Sequence, residues 1–161
     1  MIQGQAQTLA VTNMDIWAYE ALDTAIIIPT NGCTMSNKHA VMGAGLALQA
    51  KERYPNLPQE LGARLLDVGN HVQYFHESRI IAFPTKDDWR KLSTWDLVMQ
   101  SADELVLFWQ YQQLVPDAGI EKFVCPKVGC GHGKLNWKFV RQGLEEIWTK
   151  AGILDRISFV E

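Results

Sequence analysis

Three loops in this chain carry residue types that could do chemistry. The first, "PKVGCGHGKLNW", runs from Pro126 to Trp137 and alternates Gly129, Gly131 and Gly133 with Cys130 and His132, then adds Lys134. The second, "TNGCTMSNKHAVMGAGLALQ", has Asn31 near its start and Gly43, Ala44 and Gly45 near its end. The third, "TKDDWRK", places Lys86 just ahead of two aspartates and Trp89. Glycine lets a backbone approach a ligand closely, and glycine-rich turns that run into helices offer free N–H groups to anionic oxygens. Two such loops together with a lysine loop point to a phosphate-bearing ligand held by backbone amides.

Single residues in these loops admit more than one chemistry. Lys86 reads by itself as a solvated cation held by Asp87 and Asp88, with a nucleophile as the alternative. Cys130 with His132 suits a thiolate mechanism, and Cys33, Cys125, Cys130 and His132 together suit zinc. Neither set has a metal or protease spacing, so buried free cysteines and no metal are expected. Asn31 before Gly32 is common turn chemistry, and Asp15 in "NMDIW" fits a turn carboxylate. Trp89, Trp95 and Trp109 are expected to cover the core, with Trp137 anchoring a helix start. Arg90 and Lys91 are solvated charges by default and, beside Lys86, candidate phosphate contacts. Lys134 reads as a solvated charge or a helix-start residue.

The elements that must position these loops alternate along the chain. "TLAVTN" (Thr8 to Asn13) and "AIIIPT" (Ala25 to Thr30) read as strands, the second apolar enough to be buried on both faces. "LALQAKERYP" and "LPQELGARLLDVGN" read as helices, closed by Pro55 and by Gly69-Asn70. "HVQYFH" and "RIIAFP" form a hairpin about Glu77-Ser78. Apolar residues at Leu97, Ala102, Leu105 and Phe108 mark a helix, "KFVCP" a buried strand, and Val140, Leu144, Ile147 and Trp148 an amphipathic helix before the strand "RISFVE". Strands separated by helices predict an α/β, three-layer α-β-α fold around a mixed, mostly parallel sheet. All three loops leave strand ends, where such sheets bind ligands.

A chain of 161 residues is about one domain's worth, so a single domain over 1–161 is expected. Three cysteines and no charged-then-apolar leader argue for a reducing, cytoplasmic setting. No apolar run reaches the roughly 18–20 residues of a membrane span. A net charge of −3 gives no general attraction to phosphates, so a local site must hold any phosphorylated or nucleic-acid ligand.

In order along the chain, "VTNMDIW", "AIIIPTN", "AVMGAGLA", "FPTKDDW" and "PKVGCGHGKLNW" resemble the macrodomains, the ADP-ribose-binding fold. The likeness is closest to the branch that contains the DarG DNA-ADP-ribose glycohydrolase and the human terminal ADP-ribose protein glycohydrolase. It implies that Asp15 accepts from the adenine amino group beside a backbone contact from Ile16, and that Asn31 faces the distal ribose. It implies further that Gly43, Ala44 and Gly45 line the ribose and diphosphate, and that Gly129, Cys130, Gly131, His132 and Gly133 wrap the phosphates. Lys86 then carries the reaction with Asn31, attacking the anomeric carbon to form a covalent ribose–lysine intermediate. Phe159, the only aromatic residue in the last strand, either stacks on the adenine or faces the core with Ile157. Gly133 stands where the human enzyme has a catalytic aspartate, which leaves the general acid unassigned.

A lysine nucleophile must be neutral to attack, and Asp87 and Asp88 oppose that unless they point away. Three functions follow from the resemblance: an ADP-ribosyl hydrolase acting on modified single-stranded DNA or protein, a phosphatase acting on phosphorylated ADP-ribose, or a binding module. A monomer needing no cofactor, with ADP-ribose or an ADP-ribosylated substrate as its partner, is expected.

Overall fold

The computed structural model describes residues 15–115 and 119–161. Its strands are β1 (Thr24–Asn31), β2 (Gln73–Phe75), β3 (Ile80–Lys86), β4 (Lys122–Cys125) and β5 (Ile157–Phe159). Its helices are α1 (Gly45–Arg53), α2 (Leu57–Val68), α3 (Trp95–Leu114) and α4 (Trp137–Lys150), with 3₁₀ turns at Ile16–Tyr19 and Leu154–Arg156. The sheet order is β2-β3-β1-β4-β5. Neighbouring strands run parallel except for β2, which is antiparallel to β3 as the expected hairpin requires. The three-layer α/β arrangement is thus present, and the strand expected at Thr8–Asn13 lies outside the described residues.

Parallel strands need crossovers, and the crossover helices cover both sheet faces. β1 shows why its sequence is apolar without a break. Ala25 and Ile27 face a core that includes Phe123, Val98 and Trp148, while Ile26 and Ile28 face Ala50, Leu57 and Leu61 on the other side. Each of the buried isoleucines stabilises the fold by roughly 1.5–3 kcal/mol on burial. α4 presents Val140, Leu144 and Trp148 inward at four-residue spacing, and Trp148 Nε1 donates to Ala102 O at 3.1 Å. The inward stripe of α3 runs Val98, Ala102 and Leu105, so Leu97 is only half-buried and Val98 takes the place expected for it. Ser101 Oγ sets that rotation by donating to Pro84 O at 2.7 Å on β3.

Caps set the helix ends. Thr94 and Asn136 accept from the amides of Leu97 and Lys138 at the starts of α3 and α4. α2 has proline in its first turn and ends at Gly69, φ 90°. α2 also packs directly on the loop that follows β1, where Ala40 N donates to Pro58 O at 2.8 Å. A Cβ at Gly62 would lie 2.1 Å from Lys38 O and 2.9 Å from Ala40 N. Gly62→Ala should therefore cost about 1–3 kcal/mol from overpacking, beyond the roughly 1 kcal/mol that alanine contributes to a helix. Urea unfolding should show a lower midpoint at unchanged slope; a raised midpoint would mean that the loop yields to the methyl group.

Candidate active site

The loops leaving β1, β3 and β4 meet at the carboxyl edge of the sheet and enclose a cavity of about 910 Å³. Asn31, Gly43, Ala44, Gly45, Lys86, Gly129, Cys130, Gly131, His132 and Gly133 all line it. Asp15 and Ile16 line a second cavity of about 320 Å³ with Gln49, Val160 and Glu161, and Leu46 and Pro126 line both spaces. Phe159 lines neither. It is 1 % exposed, packed between Trp148 and Trp137 with the Arg141 guanidinium 4.7 Å from its ring centroid. Strand alternation turns Ile157 and Phe159 to the same core, so the expectation of a stacking Phe159 gives way to its alternative, and Val160 is the β5-end residue at the smaller cavity.

Lys86 and Asn31 stand side by side through an irregularity in the β1–β3 pairing. Thr30 pairs with Pro84, then the register shifts and Asn31 pairs with Lys86. The extra residue is a bulge, which re-aims the strand at its end. The loops beyond are stitched together: Gly32 N donates to Asp87 O at 3.1 Å, and Asn70 Nδ2 donates to Lys86 O at 2.9 Å and Asp87 Oδ1 at 3.0 Å. Asn31 keeps its turn role, its Oδ1 accepting from Cys33 N at 2.9 Å and its Nδ2 donating to Val41 O at 3.0 Å.

Neither aspartate after Lys86 is turned back on it. Asp87 is held by Asn70. Asp88 takes both guanidinium nitrogens of Arg90, at 2.9 and 2.7 Å, and this hydrogen bonding holds its carboxyl well below the usual range. Among the described residues no carboxylate pairs with Lys86 within 4.0 Å. Lys86, Arg90, Lys91 and Lys127 line the larger cavity, and no carboxylate is among its described lining residues. The backbone adds positive character: α1 begins after Ala44 with no side-chain cap among the described residues, which turns its first-turn N–H groups toward the cavity edge.

The three glycines of the β4 loop serve three ends. Gly129 has φ 77°, a left-handed conformation that favours glycine. Gly133 is a matter of space, since a Cβ there would meet Ser93 Oγ at 2.0 Å and Gly129 O at 2.5 Å. No side chain fits at 133 while Ser93 occupies its place. Gly131 is open, with no atom within 4 Å of an added Cβ. Burial pushes the Cys130 and Cys125 thiols up, which disfavours a thiolate at neutral pH. Among the described residues no three His, Cys, Asp or Glu side chains gather as metal ligands, and no helix is long and apolar enough to cross a membrane.

Several site residues have roles that their sequence reading did not give them. Trp89, expected to cover the core, is 53 % exposed and lines the cavity with Arg90 beside its ring. Trp109 does pack on the core, edge-on to Phe123. Trp137 is half-buried against Phe159, and Trp95 is 43 % exposed against α4. Asn70, read as a helix stop, is the residue that holds the lysine loop. Ser93 and Lys127 line the cavity from positions that are unremarked as single letters.

No family model matches the chain. Among solved structures, the macrodomain of Mycobacterium tuberculosis DarG superposes with a TM-score of 0.73 over 94% of each chain, at 23% identity. The chain has the macrodomain fold. A Thermosipho africanus DarTG structure in complex with ADP-ribose matches with a TM-score of 0.72 and 20% identity, covering 91% of this chain and 39% of that one. The curated DNA ADP-ribosyl glycohydrolase of Mycobacterium tuberculosis is 27% identical over 146 residues, or 85% of this chain. The chain spans 38% of that relative's length.

The macrodomain's glycine loop makes a contrast that can be measured. Gly133→Ala should drive its methyl group into Ser93 and destabilise the fold by about 1–3 kcal/mol, lowering the melting temperature by roughly 2–12 °C. Gly131→Ala, with open space around it, should melt within about a degree of the parent. Equal melting of the two variants would show that the loop adjusts freely.

Proposed function

We propose that this chain is an ADP-ribosyl glycohydrolase, which binds ADP-ribose across both cavities and releases it from modified DNA or protein through Lys86. One observation carries the reading: in a chain of net charge −3, the cavity at the carboxyl edge of the sheet has four cationic side chains, helix-start amides and no described carboxylate around the strand-end Lys86. Such a site suits a diphosphate with a reacting group beside it. The likeness to a structure solved with ADP-ribose and to a relative named as a DNA ADP-ribosyl glycohydrolase supports both the ligand and the reaction.

In the proposed reaction the adenine occupies the smaller cavity, with Asp15 accepting from its amino group and Ile16 beside it. The diphosphate lies against Gly43–Gly45 and the β4 loop, which leaves the distal ribose at Lys86 and Asn31. The neutral Lys86 Nζ attacks the anomeric carbon. The bond from that carbon to the acceptor breaks, and the acceptor departs with the bonding electrons and gains a proton. The lysine-bound ribose opens to an imine, which water hydrolyses to free ADP-ribose and the regenerated amine. Asp87 and Asp88, engaged with Asn70 and Arg90, leave the amine unpaired.

Lys86→Ala should keep ADP-ribose affinity within a few-fold yet slow release from ADP-ribosylated single-stranded DNA or glutamate-modified protein by several orders of magnitude. Lys86→Arg should be as inactive, because a guanidinium stays protonated near neutral pH. Borohydride added during turnover should trap a ribose adduct on the parent protein alone. Full activity in Lys86→Ala with loss in Asn31→Ala or His132→Ala would transfer the chemistry to a water-based hydrolase or phosphatase.

A further inference from the structure

Gln49 projects from α1 at the smaller cavity, one turn beyond the uncapped helix start. Its amide is not free to turn. Trp17 Nε1 lies 2.9 Å from Gln49 Oε1, and an indole nitrogen can only donate, so the amide atom facing it must be the oxygen. The two hydrogens of Nε2 therefore have no protein acceptor among the described residues and remain available at the cavity that Gln49 lines.

Trp17 is itself held rigidly. Its ring is buried, with the Arg53 guanidinium 4.8 Å from its centroid, and Arg53 in turn pairs with Glu20, which also accepts from the Tyr54 hydroxyl. The Glu161 carboxylate at this cavity pairs with Arg141; Trp17 N donates to Asp15 Oδ1 at 3.1 Å, so the same residue fixes the other two polar side chains, Asp15 and Gln49. One side of that pair is an acceptor, the Asp15 carboxylate, and the other a donor, the Gln49 amide. Adenine presents a matching pair on its edges, an exocyclic amine that donates and ring nitrogens that accept.

We infer that Gln49 is a specificity-determining residue that donates from Nε2 to a ring nitrogen of the bound adenine, with Trp17 as the positioning residue that orients its amide. This rests on the proposed placement of adenine in the smaller cavity. A donor on the protein whose acceptor is removed is left unpaired on binding, which weakens affinity by about ten- to a hundredfold.

Calorimetry on the whole chain tests it with ADP-ribose and with analogues in which one adenine ring nitrogen is replaced by C–H. Gln49→Glu keeps an oxygen for Trp17 and removes the donor, while Gln49→Met removes the donor without adding charge; both residues suit an exposed helix position. Each variant should bind ADP-ribose about tenfold or more weakly, and one analogue should lose the same factor on the parent protein and nothing further on Gln49→Met. Unchanged affinity in Gln49→Met, with loss only in Gln49→Glu, would assign the effect to charge repulsion and overturn the inference. Additive losses in Gln49→Met for every analogue would overturn it as well. A parent protein that does not bind ADP-ribose would overturn the functional reading and this inference with it.

Discussion

The pairing of β1 with β3 is the contact on which the rest of the site depends. Up to Thr30 and Pro84 the two strands run in step; one residue later β3 has spent an extra position, and Lys86 instead of Thr85 stands beside Asn31. Register partners on neighbouring strands share a face, and a one-residue slip would turn each side chain to the other. The bulge therefore decides which residue of "PTK" stands beside Asn31. Its position is fixed from three sides: Ser101 holds Pro84 O from α3, Asn70 holds Lys86 O from the end of α2, and Gly32 N bonds Asp87 O from the β1 loop. None of these residues carries charge, and together they hold the segment that leads from β3 into the lysine loop.

Charge is then arranged locally on a molecule that carries the opposite sign overall. Lys86, Arg90, Lys91 and Lys127 line one cavity, while the acidic neighbours are turned from Lys86: Asp87 is held by Asn70, and Asp88 pairs with Arg90 of the lining. The Asp88–Arg90 pair is exposed and stabilises the fold little. What it does is geometric, holding the turn of the lysine loop closed with Arg90 N also donating to Asp88 Oδ1 at 2.9 Å. An acidic protein with a cationic pocket attracts polyanions to one place and repels them from the rest of its surface.

Much of this was legible in the sequence because it follows from periodicity and from strand-end position. The unbroken apolar run of β1 required helices on both faces, and the three loops had to converge because all three leave the carboxyl ends of parallel strands. What stayed hidden depends on contacts between distant segments. Phe159 and Val160 are adjacent letters, and only packing against Trp148 decides which one reaches the core. Trp89 has the composition of a core residue, yet the turn closed by Asp88 and Arg90 carries it outward. Asn70 reads as a helix terminator, and its bond to Lys86 O spans 16 positions. The vacancy of a side chain at 133 is explained by Ser93, 40 positions earlier, whose hydroxyl lies where a Cβ would go.

The β4 loop gives the proposed chemistry its leverage, because it touches both cavities. Pro126 lies at the junction of the two, and Gly129 to Gly133 follow along the larger one. In the proposed complex a nucleotide spanning them would be gripped at the adenine end and along the diphosphate, far from the bond that breaks. Binding energy gathered there can fix the distal ribose over Lys86, turning an encounter between amine and anomeric carbon into an intramolecular step. That division of labour fits the rigidity at each end: Trp17 orders the small cavity, the stitched β1–β3 loops order the lysine. Between them lies the glycine loop, where Gly131 alone of the three glycines has open space around an added Cβ, which leaves room beside the backbone where the proposed diphosphate would lie.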